Sequence, residues 1–393
     1  MPKLSVDRIA VRDKTVLVRV DFNVPLAEGA VADDTRIRAA LPTIRHLMAQ
    51  GARQVLMSHL GRPKGKADPK LSLRPAADCL ARLLGSPVAF SPAVIGEQAQ
   101  AAVAALRPGG VLLLENLRFH PEEEKNDPAF AKALAALGDA YVSDAFGTVH
   151  RAHASTEGVA HYFQQAACGF LIARELEFLG KALEAPESPY VAILGGAKVG
   201  DKIAVIRSLL QRADTLLIGG GMAYTFLKAQ GHGVGTSLLD EPHLELAGEL
   251  LAEAKGLGKT LLLPQDHLVA AALDKAARAE PSGLEIPRER MGLDIGPATV
   301  AAYKVQIARA RMVVWNGPMG VFEFPAFREG TFAVAHAMAD CGGVTIVGGG
   351  DSVAAVNQAG VADRISHIST GGGASLEFLE GRTLPGIAAL TEA

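Results

Sequence analysis

Aromatic residues and cysteines are scarce in this sequence. Aromatic residues make up 5% of the 393 residues, so no aromatic cluster marks a nucleobase pocket. The three cysteines, Cys79, Cys168 and Cys341, are odd in number and lie far apart, which excludes a paired redox motif and a cysteine metal site. Such usage is typical of buried, reduced thiols, and we expect a cytoplasmic protein.

Long apolar runs and an excess of charge are also missing. No uncharged apolar run is long enough to span a bilayer, and the N-terminal residues lack the apolar core of a secretory signal. The formal net charge of −3 argues against nucleic acid or an anionic membrane as the main partner. We therefore expect small-molecule ligands, with any anion site formed by a local cluster.

Strand-like and helix-like segments alternate along both halves of the chain. With 49% apolar residues in 393, the chain can fill two cores. Alternation of this kind predicts an α/β fold with two doubly wound, Rossmann-like parallel-sheet lobes joined by a hinge helix. The apolar runs predicted as strands are residues 16–20, 55–57, 111–114, 140–142, 191–194, 215–218, 260–263, 312–315, 344–347 and 365–368.

A proline-broken polar stretch at residues 184–189 indicates the boundary between the lobes. A helical pattern precedes it. We therefore predict an N-terminal lobe over residues 1–170, a hinge helix and linker over 171–189, and a C-terminal lobe beginning at 190.

Arginine and histidine follow the predicted strands of the first half. Ligands of parallel sheets bind beyond the carboxyl ends of the strands, where small polar turn residues are usual. Guanidinium groups match carboxylate and phosphate oxygens, so the set predicts a pocket for a small, highly anionic metabolite, whose hydroxyls Asp21 and Asn23 could bind. The cationic or potentially cationic members are Arg36, His59, Arg62, Arg118, His150 and Arg151.

Glycine follows the predicted strands of the second half, as at residues 195–196, 219–221, 348–350 and 371–373. Glycine loops at helix starts present backbone N–H groups to phosphates. Lys198 and Lys202 are four apart and would share one face of a helix there. Asp351 is either a helix N-cap or a Mg²⁺ ligand, and both roles stay open.

An anion-binding half and a polyphosphate-binding half predict phosphoryl transfer across an interdomain cleft, a reaction that needs positioning and cations more than a nucleophile. Two alternatives remain. An NAD-dependent oxidoreductase would suit the fold, but no G-x-G-x-x-G spacing occurs, and no Walker A motif either. A non-catalytic, two-lobed anion-binding protein would not need the second, phosphate-type half.

Eight motifs together resemble the phosphoglycerate kinase family along essentially the whole chain, in that family's order and without departure at the functional positions. They are RVDFNVP (19–25), SHLGRP (58–63), LLENLRF (113–119), HRAHAS (150–155), GGAKV (195–199), NGPMG (316–320), GGGDS (348–352) and STGGGAS (369–375).

The resemblance implies reversible, Mg²⁺-dependent phosphoryl transfer from 1,3-bisphosphoglycerate to ADP, as in glycolysis, gluconeogenesis or carbon fixation. The glycerate would be held by Asp21, Asn23, Arg36, His59, Arg62, Arg118 and Arg151. The nucleotide would be held by Gly196, Ala197, Lys198, Lys202, Gly220, Gly292, Asn316, Pro318, Glu323, Gly349, Gly350, Asp351 and Ser352. The transferring group would be stabilised by Arg36, Lys198, Gly371 and Gly372.

Within the nucleotide set, the resemblance makes Glu323 a candidate for the ribose hydroxyls and Asp351 the candidate ligand of Mg²⁺. It also implies that the C-terminal lobe ends at residue 376, that residues 377–393 return to the first lobe, and that the enzyme is a monomer whose lobes close on its substrates.

Overall fold

The computed structural model describes residues 2–393, which form two compact units. The first unit contains residues 2–177 together with Thr383–Ala393, and the second contains Phe178–Arg382. The α/β fold with two doubly wound sheets is confirmed. No helix among residues 2–393 is long and apolar enough to cross a membrane.

A six-stranded parallel sheet and a small hairpin form the β-structure of the first unit. The strands are β1 (Thr15–Arg19), β2 (Leu26–Ala27), β3 (Ala30–Val31), β4 (Arg53–Met57), β5 (Val88–Ser91), β6 (Val111–Leu114), β7 (Ala140–Ser143) and β8 (Ala166–Cys168). The order in the sheet is β5-β6-β4-β1-β7-β8, and β2 pairs with β3. Every residue of β1, β6 and β7 is buried, as expected for parallel strands covered on both faces.

The helices of this part of the chain begin and end at residues with clear local reasons. They are α1 (Thr35–Ala49), α2 (Arg74–Leu84), α3 (Glu97–Ala104), α4 (Pro121–Glu124), α5 (Pro128–Ala135) and α6 (Phe170–Glu184). Helix α5 begins where the Asp127 side chain accepts a hydrogen bond from the N–H of Phe130 at 2.9 Å. Helix α2 ends at Gly85, whose φ of 68° is left-handed. Helix α6 carries the chain from the first unit into the second.

The second unit has a six-stranded parallel sheet and a separate antiparallel sheet. The strands are β9 (Tyr190–Leu194), β10 (Thr215–Ile218), β11 (Thr260–Leu262), β12 (His267–Ala270), β13 (Glu280–Ser282), β14 (Met291–Ile295), β15 (Met312–Asn316), β16 (Val344–Gly348) and β17 (His367–Ile368). The parallel sheet has the order β11-β10-β9-β15-β16-β17. In chain order this is 3-2-1-4-5-6, the order of dinucleotide-binding folds. Its topological switch point lies between β9 and β15, so ligands are expected at the loops that follow these two strands.

Helices cover both faces of the second sheet. They are α7 (Ile203–Leu210), α8 (Met222–Ala229), α9 (Leu244–Gly256), α10 (Pro297–Arg309), α11 (Glu329–Ala339), α12 (Gly350–Gln358) and α13 (Gly373–Leu379). Short 3₁₀ turns occupy Val6–Arg8, Pro69–Leu71, Leu117–Phe119, Phe146–Thr148, Gly158–Tyr162, Gly200–Lys202, Glu241–His243, Pro325–Phe327 and Ala362–Arg364.

The end of the chain packs on the first unit. It contains α14 (Pro385–Ala388). The N–H of Thr391 donates to the carbonyl of Ala166 in β8 at 2.9 Å, and the carbonyl of Thr391 accepts from Leu4 at 2.8 Å. The unit boundaries fall at Glu177 and Thr383.

Candidate functional site

Two loops of the first unit are joined beyond the carboxyl ends of β1 and β4. Arg36, in the first turn of α1, forms an ion pair with Asp21, which follows β1. Asn23 accepts a hydrogen bond through Oδ1 from the N–H of Gly61, at 2.9 Å. The Arg36 side chain is 37% exposed and the Asp21 side chain 11%, so the guanidinium group of Arg36 keeps access to a ligand.

The loop after β6 contacts the backbone of the loop after β4. Asn116 donates through Nδ2 to the carbonyl of Leu60 at 2.7 Å and accepts through Oδ1 from its N–H at 3.2 Å. Arg118 is 6% exposed and donates through Nη1 to the carbonyl of Gly61 at 2.8 Å. The glycerate-binding candidates Asp21, Asn23, Arg36 and Arg118 thus belong to one hydrogen-bonded set of loops.

His59 differs from its predicted role as a cationic group. It is 5% exposed, and its pKa lies well below 6.5 because burial penalises the charged ring and Arg19, Arg118 and Arg36 add positive charge nearby. Burial, together with the positive charges of Arg118 and Arg19, lowers the pKa of neighbouring His153 to about 4. His59 is therefore neutral at pH 7, and the expectation that it contributes positive charge is wrong.

The remaining arginines of the predicted set are exposed. Arg62 lies in the loop after β4, and Arg151 lies in the segment after β7. Arg151 donates through Nε to Nε2 of His150 at 3.1 Å. Side chains that stay in water can swing onto an anionic ligand without first breaking a buried contact.

In the second unit, the loops that follow β9, β10 and β15 touch through their backbones. A Cβ on Gly195 would overlap the carbonyl oxygen of Pro318, and a Cβ on Gly317 would overlap the carbonyl of Gly195. A Cβ on Gly220 would lie 2.6 Å from the backbone N of Gly196. These glycines are needed for the loops to pack on one another at the topological switch point.

Lys202 is held next to the end of β15. Its ammonium group donates to Oδ1 of Asn316, and burial lowers the pKa of Lys202 to about 8 although Asp351 and Asp201 oppose the change. Helix α7 begins only at Ile203, and Lys202 ends a 3₁₀ turn. The prediction that Lys198 and Lys202 share one helical face is therefore wrong.

Asp240 and His243 contact the loop that precedes α7. The N–H of Gly200 donates to Oδ2 of Asp240 at 2.9 Å, and the His243 ring lies against Gly200. Asp240 also contacts Nδ1 of His243 at 2.9 Å. The loop is thereby held in an irregular conformation that leaves Lys198 exposed.

The amide of Asn316 provides the strongest local indication of a ligand. Asn316 is 3% exposed, its Oδ1 is taken by Lys202, and its buried Nδ2 has no hydrogen-bond partner among the described residues. Gly349, with φ of 89°, brings the backbone before α12 against this Nδ2. A buried donor without a partner is costly, so the site favours a ligand that brings an acceptor such as a phosphate oxygen.

The start of helix α12 distinguishes between the two roles that remained open for Asp351, helix N-cap and Mg²⁺ ligand. The N-cap residue is Gly349, and no side chain caps the helix, so the N-cap interpretation of Asp351 is wrong. The Asp351 side chain is exposed. Ser352 is buried, and its Oγ accepts from the N–H of Gly317 at 2.6 Å, which ties α12 to the loop after β15.

An apolar pocket of about 580 Å³ adjoins these loops. Of the predicted nucleotide-binding residues, it is lined by Gly196, Ala197, Gly220, Gly292, Pro318, Glu323 and Asp351. The sequence interpretation missed much of its wall, namely Tyr224, Ser237, Leu238, Leu239, Leu273, Met291, Leu293, Met319 and Val321. Glycine at 292 is required because a Cβ there would overlap the hydroxyl of Tyr224.

The second triple glycine lies before α13. Gly371 donates its N–H to Oγ of Ser369 at 3.1 Å, so this N–H is already engaged. Gly372 has φ of 54° and open space where a Cβ would stand. The prediction that both N–H groups bind the transferring phosphoryl group stays a prediction, and for Gly371 it requires the hydrogen bond to Ser369 to be exchanged.

A metal ion would have to share its ligands with a substrate. Within residues 2–393, no group of three or more His, Cys, Asp or Glu side chains could hold an ion alone. Mg²⁺ often takes one or two carboxylates and completes its shell with phosphate oxygens and water. The exposed Asp351 carboxylate at the edge of the apolar pocket fits this arrangement.

Known proteins resemble the chain over its full length. Residues 6–382 match the family model described as phosphoglycerate kinase. Among curated relatives, the phosphoglycerate kinase of Moorella thermoacetica is 61% identical over 393 residues, and that of Koribacter versatilis is 58% identical over 401 residues; each alignment covers 100% of both chains.

Solved structures agree with the relatives. The structure of phosphoglycerate kinase from Coxiella burnetii superposes with a TM-score of 0.91 at 42% identity, covering 99% of this chain and 98% of that one. The crystal structure of phosphoglycerate kinase from Pyrococcus horikoshii superposes with a TM-score of 0.86 at 34% identity, covering 98% of each chain. By family model, relatives and fold, this chain is a kinase that belongs to the phosphoglycerate kinase family.

Proposed function

We propose that the chain catalyses reversible phosphoryl transfer from 1,3-bisphosphoglycerate to ADP, giving 3-phosphoglycerate and ATP. The observation that carries the proposal is the cluster of Lys202, Asn316 and Gly349 beside an apolar pocket, since it pairs a phosphate-type site with space for a base. The loop network around Arg36 and Arg118 supplies a separate site for a small anion.

On the glycerate side, positive charge comes from arginine alone. Arg36 is held by Asp21, Arg118 is braced by the Gly61 carbonyl, and Arg62 and Arg151 remain exposed. We assign these guanidinium groups to the carboxyl and phosphate groups of the substrate, because planar forks bind such oxygens in pairs. Asp21, Asn23 and His59 supply uncharged or anionic hydrogen-bonding groups.

On the nucleotide side, the base would occupy the apolar pocket, with Glu323 at its edge for the ribose hydroxyls. The phosphates would extend toward Lys202, the free Nδ2 of Asn316 and the start of α12, where Gly349 and Gly350 leave backbone N–H groups near the helix dipole. Asp351 would hold Mg²⁺, which when bound offsets negative charge on the phosphates.

The chemical step needs no nucleophile from the protein, since the carboxylate of 3-phosphoglycerate or the terminal oxygen of ADP attacks directly. Arg36 and Lys198 would stabilise charge that spreads over the transferring group. Lys198 suits this role because its side chain is exposed and can reach a bound phosphate. Gly371 and Gly372 would add backbone donors.

We further propose a cytoplasmic monomer. The free thiols of Cys79, Cys168 and Cys341 support a reducing compartment. The family resemblance supports the monomer, which sedimentation equilibrium of the purified chain would test.

Coupled spectrophotometry of ATP formation from 1,3-bisphosphoglycerate and ADP, with Arg36→Ala as the variant, tests the proposal. We expect kcat to fall about a hundredfold or more while KM changes much less, because Arg36 is assigned to the transition state. Unchanged kcat with a raised KM would contradict that role, and wild-type protein without activity would contradict the proposed function.

A further inference from the structure

A fully buried arginine lies behind His59. Arg19, the last residue of β1, is 1% exposed. Its Nε donates to Oγ of Ser155 at 2.9 Å, its Nη1 donates to the carbonyl of Val20, and its Nη2 lies 3.2 Å from Nδ1 of His59. The His59 ring, in the loop after β4, is therefore in direct contact with a buried, permanently charged group.

A buried carboxylate completes the arrangement. Glu123 of α4 is 1% exposed, and its Oε2 accepts from the N–H of Ser155 at 2.9 Å while its Oε1 accepts from Oγ of Ser155 at 2.6 Å. Because Arg19 can only donate, the Ser155 hydroxyl accepts from Arg19 and must give its proton to Glu123. Ser155 thus connects the Arg19 guanidinium group to the Glu123 carboxyl group.

Burial and the groups in contact with Glu123 act on its pKa in opposite directions. Each carboxyl oxygen of Glu123 accepts one hydrogen bond from Ser155. Burial raises the pKa of Glu123, and the Arg19 charge and the two hydrogen bonds from Ser155 act against that increase. In its ionised form, Glu123 supplies the counter-charge that a buried guanidinium group requires.

The tautomer of His59 follows from the same donor rule. A guanidinium group has no acceptor, so Nδ1 of His59 must be unprotonated to accept from Nη2 of Arg19. A neutral imidazole with a bare Nδ1 carries its proton on Nε2. The other titratable or charged groups that act on His59 are Arg118, Arg36 and His153, and each of them also disfavours the imidazolium form.

We propose that Glu123 is a positioning residue, which acts through Ser155 and Arg19 to fix His59 as the Nε2–H tautomer, so that His59 donates a hydrogen bond to the phosphoglycerate ligand. The identity of that ligand rests on the proposed function. The tautomer does not, because it is a property of the protein without substrate.

The first test is long-range ¹H–¹⁵N correlation NMR of the His59 ring in ligand-free wild-type protein between pH 5.5 and 8.5. We expect a pyridine-type Nδ1, a protonated Nε2 and no titration over this range. A protonated Nδ1, or a ring that titrates near pH 6.5, overturns the proposal whatever the outcome of activity assays.

The second test uses Glu123→Gln and Ser155→Ala, with Glu122→Gln on the same helix as the matched control. A glutamine side chain presents one acceptor where Glu123 presents two, and it carries no counter-charge for Arg19. For both variants we expect a mixture of His59 tautomers. The KM for 3-phosphoglycerate should rise about tenfold, which corresponds to the loss of one hydrogen bond to a charged group. The KM for ATP and kcat should change less than threefold.

Glu122→Gln should keep both the wild-type ring spectrum and the wild-type KM, since the contacts to Ser155 come from Glu123 and the backbone carbonyl of Glu122, which accepts from Asp127, is unchanged by the substitution. If Glu123→Gln is poorly folded by circular dichroism, Ser155→Ala decides, because it removes one hydroxyl and leaves the carboxylate in place. Wild-type tautomer and wild-type KM in folded Ser155→Ala would overturn the assigned path through Ser155.

Discussion

Lys202 should make nucleotide binding depend on pH in a range where few side chains titrate. Its ammonium group is largely buried and its pKa is lowered to about 8. A bound polyphosphate favours the protonated form, so binding above pH 8 must be accompanied by proton uptake. The affinity for ADP should therefore be full below about pH 7 and should fall as pH rises through 8.

The size of the effect follows from the pKa. A group with a pKa of about 8 is roughly nine-tenths protonated at pH 7 and roughly one-tenth at pH 9. The affinity should then fall about tenfold between these two values, or about 1.4 kcal/mol. The terminal phosphate of ADP has a pKa near 6, so it is already ionised and does not reproduce the trend.

Isothermal titration calorimetry of ADP in EDTA, at pH 7, 8 and 9, measures the change directly. At pH 8.5, paired buffers of different ionisation enthalpy should report an uptake of about three-quarters of a proton. Lys202→Arg keeps its charge and should bind ADP with the same affinity at all three pH values. Lys202→Met should bind ADP weakly, again with the same affinity at all three pH values. Constant wild-type affinity, or an equal fall in Lys202→Arg, would refute the reasoning.

Three further predictions concern other parts of the chain. Asp351→Asn should raise the Mg²⁺ concentration for half-maximal activity at least tenfold with little change in the Kd for metal-free ADP; an unchanged Mg²⁺ requirement would exclude Asp351 as its ligand. Asp144, which accepts from the N–H of Leu171 at the start of α6, has its pKa raised to about 7 by burial. The native state thus binds this proton more tightly than the unfolded chain, so the free energy of unfolding should fall by a few kcal/mol as the pH rises from about 4 to about 7. Urea titrations of Asp144→Asn should not show this fall. The same pH dependence in the variant and the wild-type protein would contradict the assignment. Gly195→Ala should lower both thermal stability and nucleotide affinity, because a Cβ at residue 195 would overlap the Pro318 carbonyl. Gly350→Ala should change the melting temperature by no more than about a degree or two, because a Cβ at residue 350 meets open space. Equal melting temperatures for the two variants would contradict the assigned packing of the loops.

Much of the fold was predictable because its signals are local. Helix α2 ends at Gly85, where a left-handed glycine stops the helix, a signal that a single residue carries. The strands β6 and β10 match the predicted runs in full. The antiparallel sheet β13-β12-β14 was not predicted, because β13 contains a proline and is partly exposed, which leaves no alternating or continuous apolar pattern.

The candidate site was predictable in its residues and less so in their chemistry. Strand ends collect ligand-binding groups, so Asp21, Arg36 and Arg118 could be assigned from their positions. The neutral state of His59 depends on burial against Arg19, a contact between strand ends distant in sequence. The apolar pocket draws aliphatic side chains from several separate segments, none of which carries a pattern of its own.

The most direct measurement of the central claim is ³¹P NMR of purified protein mixed with 1,3-bisphosphoglycerate, ADP and Mg²⁺. The account predicts that the acyl-phosphate resonance disappears as the γ-phosphate resonance of ATP grows in equal amount, with little inorganic phosphate formed. The Arg36→Ala variant should slow this exchange. Loss of the acyl phosphate to inorganic phosphate alone, or no change in wild-type protein, would contradict the account.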